Sequence, residues 1–212
     1  MVAQGRFELS ELGLFPLGLV LLPGERVPLH IFEPRYKELL GECLEHEREF
    51  GLVFTDDDGM RTIGTHAAVT SVLERFEDGR LNVVVEGRAR FRIARLTSGR
   101  SFQTAQVESF PDVPDPPRKA ESERALRLFR ELRELVGSDV DEPEPDEESL
   151  AFAVAVRVDF GAPAKQRLLE LTSERDRLRL VQRLLEHAAR KFEAERARRE
   201  AGQRNGRPAP PG

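Results

Sequence analysis

The 212-residue sequence predicts an α+β protein, with a small β-barrel-like region that holds one inserted helix, followed by a helical bundle with a long final helix. Three observations support this fold class. Apolar and polar residues alternate around two acidic glycine turns in the first half, which is typical of strands with one face in a core. A rigid proline segment follows at residues 111–117. Beyond it, apolar residues recur at three- and four-residue spacing, which indicates helices.

The first half is predicted to form about six short strands, enough for a small barrel. The turns at residues 56–59 and 77–79 each join two apolar runs, and Asp-Gly is a strong hairpin signal. The strand that follows the second turn alternates, and Gly87 within it predicts a bend or bulge. Ala89, Phe91 and Ile93 are expected to face the core. The remaining strands are predicted at residues 26–32, 50–55, 67–76 and 102–109.

One helix is expected to interrupt the strands. Pro34 suits a first helical position, and Tyr36, Leu39 and Cys43 follow at helical spacing. The next helical stripe runs from Ala125 to Val136 and ends at Gly137, a residue typical of a helix end.

The remaining helices are predicted from their caps. Ser149 can cap a helix over residues 151–158, although alternating apolar residues there fit a strand equally well. The serine cap, Gly161 and Pro163 favour the helix. A short helix should follow, then a break, and Ser173 should cap the long final helix.

These elements predict a β domain at residues 10–112 and a helical subdomain at residues 117–200. Residues 138–148 form an acidic linker inside the helical part. Residues 201–212 are rich in glycine and proline and are expected to be a disordered tail.

The formal net charge of -5 is unevenly distributed. Residues 138–148 hold seven acidic residues and no basic one, whereas residues 149–212 hold 14 basic and eight acidic residues. The basic C-terminal quarter makes nucleic-acid binding an alternative function. One strand face should carry Arg88, Arg90, Arg92 and Arg95. These arginines either contact an acidic partner or form a solvent-exposed face whose charge is neutralised by nearby glutamates. The second interpretation is favoured, because no aromatic residue is interleaved there.

Several functional classes are excluded by what the sequence lacks. The single cysteine, Cys43, cannot form an internal disulfide, which favours a reducing cytoplasm. No secretory signal or membrane span is recognised. The sequence contains no P-loop, no G-x-S-x-G and no H-E-x-x-H, and its four histidines are scattered. The acidic turn at residues 56–58 lacks the spacing of a calcium loop. We therefore predict no enzyme activity and no catalytic, metal or cofactor site.

Residues 12–32 are very apolar yet broken by prolines and glycines. Such a segment either closes the core or offers an apolar patch to a partner. The core interpretation is favoured for the segment as a whole. Leu19, Val20, Leu21 and Leu22 lie between two breakers, so exposure is most expected for these four, and we take them as candidate peptide-binding residues.

The order of motifs resembles the Lon protease N-terminal domain family. The blocks that carry the resemblance are FPLGLVLLPGERVPLHIFEPRYKELL (15–40), FGLVF (50–54), IGT (63–65), DGRLNVVVEGRARFRI (78–93), FQTAQVESFPD (102–112) and LLELTSERDRLRLVQRLLE (168–186). The VEGRARFRI run is the most specific, although its arginines shift the family pattern slightly. The resemblance covers residues 10–195, nearly the whole sequence.

The resemblance implies a PUA-like β domain followed by helices, with residues 149–160 helical. It also implies a non-catalytic module that captures exposed apolar segments of unfolded or damaged proteins, as an adaptor or chaperone-like holder. The ATPase and peptidase domains of the family are expected to be absent, so any peptidase label would rest on homology alone. Unfolded proteins are the expected partners, with full-length Lon and a second copy of the chain as further candidates.

Overall fold

The computed structural model describes residues 10–144 and 149–205. The strands are β1 (Ser10–Leu17), β2 (Arg26–Ile31), β3 (Phe50–Asp56), β4 (Gly59–Met60), β5 (Ile63–Arg75), β6 (Leu81–Thr97) and β7 (Thr104–Ser109). The helices are α1 (Pro34–His46), α2 (Lys119–Val136), α3 (Leu150–Ala155), α4 (Ala162–Glu170) and α5 (Glu174–Asn205). This order confirms the predicted α+β class, the inserted helix and the long final helix.

The sheet closes into a ring through its first strand. β1 pairs antiparallel with β7 through residues Ser10 to Gly13, and parallel with β3 through residues Leu14 to Leu17. β6 links β7 to β5, and β5 returns to β3. The predicted barrel is therefore confirmed, and the two acidic glycine turns connect β3 to β4 and β5 to β6 as expected.

A bulge in β6 changes which residues face the core. Thr65 lies opposite Arg90 but Ala67 lies opposite Gly87, so β6 carries one extra residue at this point. Phe91 is fully buried in the barrel, as predicted. Ala89, however, is exposed, because it belongs to the bulge. Its predicted place in the core is wrong.

Gly87 is required by a close approach between two backbones. A Cβ atom at this position would lie 2.2 Å from the carbonyl oxygen of Leu22. The Gly87 N–H donates to Glu25 O at 2.9 Å, and the Gly24 N–H donates to Gly87 O at 2.8 Å. The loop before β2 thus lies directly on the bend of β6.

The helices end and begin at the predicted caps. Gly137 adopts a left-handed conformation (φ 69°) at the end of α2. The Ser149 hydroxyl accepts from the Phe152 N–H at the start of α3, and Ser173 accepts from the Asp176 N–H at 3.1 Å at the start of α5.

Two predicted boundaries are wrong. The helix expected over residues 151–158 ends at Ala155, and α5 continues to Asn205, beyond the predicted tail boundary at residue 201. Residues 206–212 of that predicted tail, and residues 145–148 of the acidic linker, lie outside the described residues. The described part of the linker, residues 138–144, contains neither helix nor strand.

The helices share a core with one side of the barrel. Val20, Leu22, Phe54, Ile63 and Phe110 from the first half join buried side chains of α2, α3, α4 and α5 in one cluster. A second cluster fills the space between the barrel and α1, and a third lies inside the barrel around Phe91.

A buried polar cluster fixes the helices against β6. Arg90 on β6 and Arg177 on α5 both form ion pairs with Asp112. Both guanidinium groups also donate to Leu171 O, at 2.6 and 2.7 Å, and both lie over the ring of Phe152. Burial lowers the pKa of Arg90, and the nearby Asp112 carboxylate opposes that shift.

Candidate functional site

The apolar loop that contains Leu19, Val20, Leu21 and Leu22 is mostly buried. Leu19 is half-buried, whereas the other three are 4%, 1% and 0% exposed. Val20 and Leu22 pack into the core shared with the helices, and Leu21 packs into the cluster between the barrel and α1. The expected exposure of these residues is wrong, and the alternative, that the segment closes the core, is the one observed. Peptide binding by these four residues stays a prediction.

Hydrogen bonds and an ion pair hold the loop to the barrel on one side and to α4 on the other. The Thr65 hydroxyl donates to Leu21 O at 2.6 Å, and the Leu22 N–H donates to a Glu25 carboxylate oxygen at 2.9 Å. The other Glu25 oxygen forms an ion pair with Lys165 of α4. Detaching the loop would break these contacts and expose three buried apolar side chains.

An open apolar groove lies at the far end of the helical part. Gln182 donates to Glu121 O, and Arg124 pairs with Glu186, so α2 and α5 run side by side in the same direction. α3 packs on this pair but ends at Ala155, while α2 and α5 continue. The groove therefore begins where a third helix would be needed to cover the seam.

The groove encloses about 360 Å³, which is near the lower end of the roughly 300–1,000 Å³ typical of ligand pockets. Its lining includes Val136 and Val140, which are 42% and 41% exposed. The other apolar lining residues are Phe129, Leu132, Val158, Ala188 and Phe192.

Sequence reasoning identified the apolar stripes of α2 and α5 but missed the groove between them. The spacing of Phe129, Leu132 and Val136 predicts a packed face, and so does that of Ala188 and Phe192. No local signal shows that α3 stops short of covering both faces. The early end of α3 leaves them open.

The predicted basic strand face is not a continuous positive surface. Arg88 pairs with Glu86 and Arg92 with Glu108, as the interpretation of a wet, neutralised face requires. Arg90 departs from that interpretation, because the helical part covers it and its side chain is 5% exposed. Arg95 is exposed.

A second exposed apolar surface lies on β2 and around the hairpin that joins β5 to β6. Phe32 and Leu73 are 59% and 62% exposed. The His30 ring stacks on Phe32 and meets Phe76 edge-on, with centroid distances of 5.9 and 6.0 Å. The His30 ring nitrogen also bonds to Asn82, which bonds to Glu74.

Among residues 10–144 and 149–205, no three His, Cys, Asp or Glu side chains are grouped so that they could hold a metal ion. Cys43 lies on the buried face of α1, and burial raises the pKa of its thiol to about 11. His66 lies against Phe91, and burial lowers its pKa. In the same part of the chain, no helix combines the length and the apolar character that crossing a bilayer demands.

The fold and the groove together define a two-part α+β module with an open apolar surface. The sequence model of the ATP-dependent protease La (LON) substrate-binding domain matches residues 11–187. The chain belongs to the LON substrate-binding domain family, as its motifs indicate, and this domain is the non-catalytic part of Lon.

Lon proteases are among the relatives. The chain is 29% identical over 194 residues to the Lon protease of Anaeromyxobacter dehalogenans, covering 83% of this chain and 23% of that protein. It is 30% identical over 178 residues to that of Rhizobium meliloti, covering 76% and 22%. The chain thus spans about a quarter of the length of these relatives.

Two solved structures share the fold. The Lon N-terminal domain protein from Xanthomonas campestris has a TM-score of 0.64 and 26% identity, covering 80% of this chain and 95% of that one. The N-terminal domain of a Mycobacterium avium complex Lon protease has a TM-score of 0.69 and 19% identity, covering 84% and 98%. These comparisons give no support to the alternative of nucleic-acid binding.

Proposed function

We propose that this chain is a non-catalytic module that binds exposed apolar segments of unfolded or partly folded proteins. Its family supports this function, since the matched domain is the substrate-binding domain of Lon. The observation that supports the groove at the end of α2 and α5 as the binding surface is that Val136 and Val140 are exposed beside a concave apolar lining. Large side chains that are exposed in an unfolded protein would be removed from water there.

Anisotropy titration with a fluorescent, permanently unfolded protein, reduced and carboxymethylated α-lactalbumin, tests this function. Val136→Asp places a carboxylate in the groove, and Leu96→Asp is the matched control, since Leu96 is 48% exposed on β6. We expect the wild type and the control to bind the unfolded protein, and Val136→Asp to bind about tenfold more weakly. Absence of binding by the wild type contradicts the function. Equal binding by the two variants would show that the unfolded protein binds outside the groove.

The loop of Leu19, Val20, Leu21 and Leu22 is the second candidate contact. It would have to detach from Thr65 and Lys165 before its side chains could meet a partner. Hydrogen exchange of residues 19–25 with and without the unfolded protein tests this role, because detachment raises their exchange rates.

We also propose an adaptor or chaperone-like role in the cytoplasm, with full-length Lon as a partner. The single buried thiol suits a reducing compartment. Degradation of an unfolded protein by full-length Lon, measured with and without added chain, separates an adaptor, which accelerates it, from a competitor, which slows it. Light scattering during size-exclusion chromatography tests the proposed homo-oligomer.

A further inference from the structure

The charges around the groove differ between its two sides. The helical side carries the basic residues Arg133 and Lys191 together with Glu195. The other side is formed by the loop segments 138–140 and 157–159. Here Asp159 lines the groove, and Asp139 and Asp141 flank the lining residue Val140 in the chain.

The four carboxylates of Asp139, Asp141, Asp159 and Glu195 are exposed. None of them forms an ion pair with another residue in the two described ranges, although Asp159 accepts a hydrogen bond from the Gly161 N–H. They are therefore free to attract a cationic partner.

Two nearby arginines each donate a hydrogen bond to a backbone carbonyl oxygen. Arg133 donates to Val140 O at 3.3 Å, and Arg157 donates to Ala153 O at 2.6 Å, back along α3. Both arginines keep their positive charge in these hydrogen bonds, and Lys191 is a further cation on the helical wall. On the loop side the three exposed aspartates outnumber Arg157, so this side is acidic on balance, and the interior of the groove offers apolar surface.

We propose that the groove prefers apolar segments that carry lysine or arginine beside their apolar side chains. This preference deepens the proposed function and rests on it. The apolar side chains would enter between Phe129 and Phe192, and the basic residues would pair with Asp139 and Asp141. Glutamate or aspartate in the same flanking positions would be repelled by the loop side.

Two fluorescein-labelled peptides test the preference. Both share one set of leucine and phenylalanine residues at helical spacing, and they differ only in having lysine or glutamate at every flanking position. The affinity of each is measured by anisotropy with the full chain at low and high salt.

The wild type should bind the lysine peptide about fivefold more tightly than the glutamate peptide, since each exposed ion pair contributes only a small factor. The preference should shrink at about 0.5 M salt, where exposed charges are screened. It should also shrink in the double variant Asp139→Asn, Asp141→Asn. The matched control Asp57→Asn, Glu77→Gln changes the net charge equally at the two hairpins of the barrel and should keep the preference.

Equal binding of the two peptides, tighter binding of the glutamate peptide, or the same loss in the control double variant overturns the inference. If neither peptide binds but unfolded α-lactalbumin does, the inference fails and the proposed function stands. If the unfolded protein does not bind either, both fail together.

Discussion

Lys165 of α4 forms an ion pair with Glu25, which follows the apolar loop and precedes β2. Their side chains are 15% and 10% exposed, so the pair is almost shielded from water. A buried charge that loses its partner keeps its desolvation cost. This pair therefore holds the loop between the barrel and the helices.

Replacing Lys165 with Met should lower the free energy of unfolding by about 3 kcal/mol, because the Glu25 carboxylate is left without its cation. Urea denaturation measures the change. Arg124→Met removes an exposed ion pair with Glu186 and should cost less than about 1 kcal/mol. Equal losses in the two variants would show that the Lys165 pair is not effectively buried.

Arg90 and Arg92 offer a matched pair on one strand face. Arg90→Met removes hydrogen bonds to Leu169 O and Leu171 O and leaves Asp112 with one cation fewer, so we expect a loss of about 3 kcal/mol. Arg92 is exposed and pairs with Glu108 at 3.3 Å, so Arg92→Met should cost less than about 1 kcal/mol. Thermal and urea unfolding of both variants check this ranking, and its reversal would refute the assignment of Arg90 as the buried contact.

Gly87→Ala should destabilise the protein by about 3 kcal/mol or more, because the added methyl group meets the Leu22 carbonyl and neither backbone can move freely. Gly41 lies within α1, and no atom of a neighbouring residue lies within 4 Å of the place that an added methyl group would occupy. Gly41→Ala should therefore stabilise the protein by up to about 1 kcal/mol. In denaturant unfolding, the two substitutions should change the free energy of unfolding in opposite directions.

The buried thiol of Cys43 predicts a loss of stability at alkaline pH. Burial, and then the neighbouring Glu42 carboxylate, raise the pKa of this thiol from 9.0 to about 11. The folded state therefore keeps a proton that the unfolded state releases, and this contribution is complete below pH 9 and disappears as the pH rises through 11.

The difference in unfolding free energy between the wild type and Cys43→Ala isolates the thiol from the other groups that titrate at high pH. This difference should decrease by about 2 kcal/mol between pH 8 and 11. A constant difference would mean that the thiol is more accessible to water than the structure indicates. Slow reaction of native Cys43 with a thiol reagent at pH 8 is the accompanying expectation.

Local signals in the sequence predict the ends of the elements well. Pro34, Gly137, Ser149 and Ser173 stand where the structure begins or ends a helix, because each satisfies a backbone requirement within a few residues of itself. The two acidic glycine turns were also predicted correctly, for the same reason.

Features that depend on distant residues were not predictable in this way. Strand alternation predicts that Arg90 is exposed to solvent. Its burial instead depends on carbonyl groups about 80 positions later in the chain. The groove depends on the early end of α3, which no cap or spacing in α2 or α5 reveals. The sequence favours the core for the apolar segment as a whole, but only its neighbours in the structure show that Val20, Leu21 and Leu22 belong to that core.

The way β1 closes the barrel also sets an order for folding during synthesis. Its second half can pair with β3 once residue 54 has been made, but its first half must wait for β7, since Ser10 pairs with Val107, 97 positions later. Contacts between such distant residues form slowly. Until then the nascent chain carries an incomplete sheet edge beside Leu12 and Leu14, which is itself an exposed apolar segment of the kind that the groove is proposed to bind.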